Sequence, residues 1–94
     1  MPNKNKLKGD RFERMILMVA EEMGLRGYRN RMSRAQPGES WDISIAGKRL
    51  ECKKRKDSFK KIREWIYGNE GVILGCDREE TLIVIRLKDY LKLL

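Results

Sequence analysis

Three charged side chains near the middle of the chain, Asp42, Glu51 and Lys53, have the types and spacing to hold a divalent cation beside a positive charge. The two carboxylates flank a short turn at Ala46-Gly47. Two carboxylates brought together repel each other, and a bound cation reverses that interaction because hard cations take oxygen ligands. The alternative is a charged hairpin face that is simply solvated.

Apolar and polar residues alternate on both sides of this turn, which is the period-2 pattern of two half-buried strands. The apolar positions are Ile43, Ile45, Leu50 and Cys52. An even-length loop predicts the pairs Ile45 with Lys48, Ser44 with Arg49, Ile43 with Leu50, and Asp42 with Glu51. Residues two apart on a strand share a face, so both carboxylates and Lys53 are predicted to project from one side. A loop of odd length would place Asp42 opposite Cys52 and weaken this geometry.

An Asp, a turn and then Glu-x-Lys resembles the core motif of the PD-(D/E)xK nuclease superfamily, carried here by Asp42, Glu51, Cys52 and Lys53. Trp41 stands where the family usually has Pro. The resemblance implies hydrolysis of DNA phosphodiester bonds with Mg²⁺, for which Mn²⁺ would substitute. It implies Asp42, Glu51 and the backbone carbonyl of Cys52 as metal ligands. Lys53 would orient the attacking water and stabilise the negative charge that develops on the phosphate.

A helix is predicted to begin at Asp10 and to end at Gly24 or Gly27, after a basic flexible tail over residues 1–8. Glu13 lies in line with the apolar stripe of this helix. It forms a capping box with Asp10 or, alternatively, supplies a further acidic metal ligand. Gly9, Glu13 and Arg14 resemble the opening of the Holliday junction resolvase-like branch of the superfamily, in which an early Glu has that second role.

Charge and composition favour a polyanionic partner. The chain has 22 Lys and Arg against 14 Asp and Glu, a net charge of +8, and such an excess binds phosphates by releasing counterions.

There is no His, which excludes His-based acid–base catalysis and, with only two Cys, argues against structural zinc. No membrane segment, signal peptide or small-molecule cofactor is expected. Cys52 and Cys76 are predicted to be buried free thiols of a cytoplasmic protein.

Basic residues cluster before and after the hairpin and are the predicted DNA contacts. A short strand is predicted near 28–32, where spaced arginines around Tyr28 suit a phosphate track with one stacking contact. The alternative is an ordinary solvated loop. The predicted DNA-binding residues are Arg26, Arg29, Arg31, Arg34, Lys54, Arg55, Lys56 and Lys60.

The second half of the chain supplies the remaining elements. A helix capped by Asp57 or Ser58 is predicted to end at Gly68-Asn69. The apolar run over 71–76 predicts a buried strand. A further strand over 81–85 and a short amphipathic helix close the chain.

The predicted fold is α/β (α+β) with the order α-β-β-(β)-α-β-β-α, as one domain over residues 9–94. This order resembles a minimal restriction-endonuclease-like core, a mixed four-stranded sheet flanked by helices, from Gly9 to about Asp77. The ending, over residues 82–91, is similar to that of small phage-encoded members, for which the compartment would be the host cytoplasm.

The resolvase-like opening suggests branched DNA as the substrate, and symmetric cuts across a four-way junction require a C2 homodimer. The C-terminal helix or the edge of the last strand would supply the dimer contact. Two other function classes stay open. One is a non-catalytic basic nucleic-acid-binding module or degenerate nuclease, and the other is a protein-interaction domain such as a small phage regulator.

Overall fold

The computed structural model describes residues 4–30 and 41–94 and shows an α+β protein, as predicted. Its elements, in chain order, are α1 (Lys4–Glu22), β1 (Gly27–Arg29), β2 (Ile43–Ile45), β3 (Lys48–Leu50), α2 (Lys60–Ile66), β4 (Gly71–Leu74), β5 (Leu82–Ile85) and α3 (Leu87–Leu91). They form two compact units, Met1–Lys54 with Leu94, and Arg55–Leu93.

The described strands form two antiparallel sheets, so the single mixed four-stranded sheet is not confirmed. One sheet has the order β1-β2-β3 and the other is the pair β4-β5. Each strand has only three or four residues. Every described pairing joins strands that are consecutive in the chain, and no described strand pairs in parallel across α2. The prediction of one domain over 9–94 stays a prediction.

Helix α1 starts earlier than the sequence predicts. It begins at Lys4, so the expected start at Asp10 is wrong and the segment expected as a flexible tail is already helical from Lys4. Lysine and leucine over residues 4–8 have high helix propensity, which accounts for the extension. Asp10 therefore lies inside the helix and does not cap it. The helix ends as predicted, with Gly24 at a φ of 79°.

The core of the first unit lies between α1 and its sheet. Ile16 and Ala20 on α1 are buried, as are Ile43 and Ile45 on β2. Gly27 permits the close approach, because a Cβ there would lie 2.7 Å from a Leu17 methyl carbon and 3.1 Å from the Ser44 carbonyl oxygen. The apolar face of β2 therefore packs on the helix.

The β2–β3 hairpin has the predicted register. Ile43 pairs with Leu50, Ser44 with Arg49, and Ile45 with Lys48. The two turn residues, Ala46 and Gly47, both have positive φ, 50° and 81°, as a two-residue type I′ turn requires. The third strand, β1, pairs on the other side of β2, with Tyr28 opposite Ser44.

In the second unit, β4 and β5 pair from Gly71–Ile85 to Leu74–Leu82. Arg86 donates hydrogen bonds from its guanidinium to the carbonyl oxygens of Ile66 and Asn69, at 3.2 and 2.8 Å. These contacts satisfy carbonyl groups at the C-terminal end of α2. The end of α2 near Gly68 agrees with prediction, since Gly68 has a φ of 78°.

The start of α2 and the burial of β4 differ from prediction. Phe59 is the N-terminal cap of α2 and makes no side-chain capping hydrogen bond, so the expected cap at Asp57 or Ser58 is wrong. Ile73 is 72% exposed, so β4 is not a buried strand. Both cysteines are free thiols as predicted, but the prediction that both are buried is wrong, since Cys52 is partly buried and Cys76 is exposed. Cys76 is exposed because it follows β4 and lies outside the apolar part of that strand. No described helix combines the length and apolar character that crossing a bilayer requires.

Candidate active site

The strand that carries Asp42 is distorted at this residue. The amide of Asp42 donates to the carbonyl oxygen of Leu50 at 2.9 Å, although Leu50 is already the partner of Ile43. Two residues of one strand facing one residue of the other constitute a β-bulge. The predicted pairing of Asp42 directly with Glu51 is therefore wrong, because the bulge interrupts the ladder one residue before it.

The bulge places the ring of Trp41 on the opposite face of the sheet from Ile43. Trp41 and Ile43 are two apart and would share a face of a regular strand. The Trp41 ring instead contacts Tyr28 and lies under the guanidinium of Arg49. These two residues occupy the face opposite Ile43, since both are in register with Ser44.

The carboxylate of Asp42 is held at the end of the hairpin. The backbone amide of Cys52 donates to Asp42 Oδ2 at 2.7 Å. Past the bulge, this side-chain oxygen replaces the backbone acceptor that a regular ladder would offer. Among the described residues, Asp42 Oδ1 makes no hydrogen bond or ion pair. One carboxylate oxygen is therefore fixed by the fold and the other is available to a ligand.

The pKa of the Cys52 thiol shows which carboxylates act on this position electrostatically. Its pKa is raised from 9.0 to about 11, first by burial and then by the negative charges of Asp42, Glu13 and Glu51. Each of these carboxylates disfavours a thiolate at Cys52 because like charges repel. The three predicted acidic residues therefore all act on the charge of one half-buried side chain, although they come from α1, the residue before β2 and the residue after β3.

Glu13 lies beside the buried stripe of α1, as predicted, and already has a cationic partner. Arg29 Nε donates to Glu13 Oε2 at 2.9 Å, and Arg29 Nη2 lies 2.6 Å from Asp10 Oδ1. The capping box of Asp10 and Glu13 is wrong, since both residues lie inside the helix. Instead they bind one guanidinium that reaches across from β1. Arg29, predicted as a DNA contact, is thus engaged with the helix.

Lys53 lies next to the second carboxylate of the motif. Its ammonium nitrogen is 3.2 Å from Glu51 Oε1, and both side chains are more than half exposed. Solvent screens such a pair, so it holds the two groups together only weakly. The ion pair therefore restrains neither side chain strongly.

The donor chemistry of the site fits Mg²⁺ with a small number of protein ligands. Within the part of the chain that the structure describes, no three carboxylate or thiol side chains are arranged to enclose a metal ion. Mg²⁺ does not require such a cage, because it keeps several waters and binds through one or two carboxylates and a substrate phosphate. The free oxygen of Asp42, the exposed carboxylate of Glu51 and the Cys52 carbonyl have the hard oxygen chemistry this needs.

The other predicted DNA contacts are spread over both units. Arg26 and Lys54 are exposed on the first unit, where Lys54 Nζ lies 5.5 Å from the centre of the Phe12 ring. Exposed residues of the second unit are Arg55, Lys56 and Lys60. The remaining two predicted contacts, Arg31 and Arg34, lie outside the described residues.

Two features of the site were not predicted from the sequence. One is Asp10, whose spacing of three from Glu13 on a helix was the available signal for a shared partner. The other is the contact of Trp41 with Tyr28 and Arg49, which depends on the bulge and has no signal in the alternating pattern. Comparison of the chain with protein families, curated proteins and solved structures gives no match.

Proposed function

We propose that this protein is a Mg²⁺-dependent DNA endonuclease of the PD-(D/E)xK type. The observation that carries the proposal is the hydrogen bond from the Cys52 amide to Asp42, with Lys53 beside Glu51 and with Asp42, Glu13 and Glu51 all raising the pKa of the Cys52 thiol. These are the acidic and basic residues that the motif resemblance requires. The net charge of +8 supports a nucleic-acid substrate.

Asp42 and Glu51 would hold the metal together with the Cys52 carbonyl, and Glu13 would act directly or through a water. The bound ion would polarise the scissile phosphate and lower the pKa of a coordinated water. Asp42 is the best-positioned ligand, because the Cys52 amide fixes one of its oxygens. Glu13 already forms an ion pair with Arg29, which would weaken its attraction for a metal ion, so we assign it the weaker role.

Lys53 would orient the attacking water and stabilise the charge that accumulates on the phosphate oxygens. Its ammonium group is held near Glu51 at 3.2 Å and is exposed to an incoming strand. A lysine suits this position because it does not compete with the carboxylates for a cation. The products would be a strand with a phosphate end and a strand with a hydroxyl end, formed by adding water across one P–O bond.

We propose branched DNA as the substrate and a homodimer as the active form. Exposed Ile73 and Ile83 form a cross-strand pair on the β4–β5 sheet, 72% and 65% exposed. Apolar side chains that lie together on a surface mark an interaction site. This pair therefore supplies a dimer contact on the last strand. Both cysteines are free thiols, which supports the cytoplasm as the compartment.

A non-catalytic DNA-binding module is the second candidate, and a specific observation favours it. Glu13 is already neutralised by Arg29, and Glu51 has Lys53 beside it. Because these cations offset the negative charges, the acidic cluster does not need a bound metal ion. It is therefore compatible with a protein that binds DNA without cleaving it.

Cleavage of labelled DNA distinguishes the two candidates. A four-way junction, a flap and a plain duplex are incubated with the protein and with either Mg²⁺ or EDTA. The nuclease proposal predicts Mg²⁺-dependent cleavage that is fastest on the junction. Salt-sensitive binding to the same DNA without cleavage in any metal would support the binding module.

A further inference from the structure

We propose that Tyr28, Trp41 and Arg49, called here the Trp41 cluster, bind an unpaired base of a DNA strand next to Asp42. The Tyr28 and Trp41 rings are edge to face, with centroids 6.0 Å apart and planes at 81°. The guanidinium carbon of Arg49 lies 5.4 Å from the centre of the Trp41 ring. Two aromatic rings and a planar cation thus form one surface group on three different chain segments.

The cluster lies on the sheet face that does not pack on α1. Tyr28, Ser44 and Arg49 are in register across β1, β2 and β3, so their side chains share a face. The neighbouring row contains Ile43, which is buried. The cluster is therefore separated from the helix by the thickness of the sheet.

Exposure and charge suit this cluster to a nucleobase. Tyr28 is 59% exposed, which leaves much of the ring accessible to a stacking partner. Arg49 is exposed on β3 and offers positive charge to the adjoining phosphates. Stacking on an aromatic ring combined with a cationic groove is how proteins bind single strands without base preference.

The position of the cluster connects it to the candidate active site. Trp41 directly precedes Asp42, and the bulge at Asp42 accounts for the ring of Trp41 reaching the outer face. A base held on the cluster would therefore lie one residue along the chain from Asp42. Bases inside a duplex are stacked on each other and cannot reach such a surface, whereas a branch point or single strand offers them.

The inference that this base belongs to the cleaved substrate rests on the proposed function, but binding of the base itself does not. Binding is therefore measured in EDTA, where no metal-dependent cleavage occurs. A labelled thymidine oligonucleotide and a duplex of equal length are titrated by fluorescence anisotropy. The proteins are the parent chain, Tyr28→Ala and Tyr28→Phe.

Tyr28→Ala should weaken binding of the single strand about tenfold, because one stacked ring is lost, and should change duplex binding little. Tyr28→Phe keeps the ring and should bind both DNAs like the parent. An equal loss for both DNAs, or no loss for the single strand, would overturn the proposal.

A second measurement uses Trp41 itself and needs no change in the cluster. The chain has two tryptophans, so Trp65→Phe leaves Trp41 as the only one. Thymidine oligonucleotide should quench its emission, whereas the equal-length duplex should not. Absence of quenching by a bound single strand would overturn the proposal. A protein that cleaves junctions but shows no quenching would keep its nuclease function and lose only the stacking site.

Discussion

At the scale of single residues, Asp42 has a structural contact and a proposed catalytic role that substitutions can separate. Asp42→Ala removes the acceptor of the Cys52 amide and should lower the free energy of unfolding by about 1 kcal/mol. Asp42→Asn keeps an acceptor oxygen and should lower it less. Urea unfolding followed by circular dichroism measures both values. Equal stability of Asp42→Ala and the parent would show that the hydrogen bond contributes nothing.

Cys52 provides a pH-dependent test of the carboxylate arrangement. With Cys76→Ser as background, Cys52 is the only thiol, and only its thiolate reacts with iodoacetamide. The rate should rise with a midpoint near pH 11 in the folded protein, and near 9.0 in the denatured protein. The folded state keeps its proton longer, so the contribution of Cys52 to stability is complete below pH 9.0 and is lost as the pH approaches 11.

Removing a neighbouring negative charge should shift this midpoint in a known direction. Asp42→Asn and Glu13→Gln each take away a charge that opposes the thiolate, so each should lower the pKa of Cys52. The midpoint should stay above 9.0, since burial is the larger cause. Glu22→Gln, which removes an exposed negative charge at the end of α1 that does not contribute to the shift, is the control. A midpoint that neither carboxylate variant moves would contradict the arrangement of the site.

At the scale of elements, the packing of α1 on its sheet depends on Gly27. Gly27→Ala would place a Cβ 2.7 Å from Leu17 and 3.1 Å from the Ser44 carbonyl oxygen, and should destabilise the protein by about 1–3 kcal/mol. Gly9→Ala is the matched control, since nothing lies within 4 Å of a Cβ there. In the interior of α1 it should stabilise by about 0.5–1 kcal/mol. Thermal unfolding that gave the same sign for both variants would contradict the packing.

The same elements show what the sequence could predict. Local patterns suffice for the β2–β3 hairpin, because alternation and the Ala46-Gly47 turn fix its register. They also suffice for the position of Glu13, because helical spacing places it beside the buried Ile16. The bulge at Asp42 was not predictable in this way. The bulge adds one residue to the strand that carries Asp42. The contact that accompanies it, between the Asp42 side-chain oxygen and the Cys52 amide, forms only when the chain folds.

Longer-range features also could not be predicted from local patterns. The apolar run of β4 is compatible with a buried strand or with an exposed interaction face, and the structure shows that Ile73 is exposed. Helix α1 continues back to Lys4, where its lysines and leucine are good helix formers but carry no capping signal. The partition of strands into two sheets depends on tertiary pairing, which alternation does not specify.

At the scale of the whole molecule, the proposed homodimer predicts a change of mass with one substitution. Ile83→Lys places a charge on the exposed β4–β5 face, where Ile83 pairs with Ile73, and should dissociate the dimer because the buried charge would lack a partner. Leu93→Lys alters another apolar side chain, 76% exposed, and should leave the dimer intact. Sedimentation equilibrium measures both. A monomeric parent, or dissociation by Leu93→Lys alone, would contradict the proposed contact.

The central claim is that a bulged hairpin presents the acidic pair that cleaves DNA, and junction cleavage by matched variants tests it most directly. Parent, Asp42→Asn and Glu51→Gln proteins are compared on a labelled four-way junction, with binding in EDTA measured in parallel. The account predicts Mg²⁺-dependent cleavage by the parent and none by either variant, while both variants bind the junction at least as tightly as the parent because each loses a negative charge. Cleavage that persists in either variant, or a parent that binds the junction and never cuts it, would contradict the account.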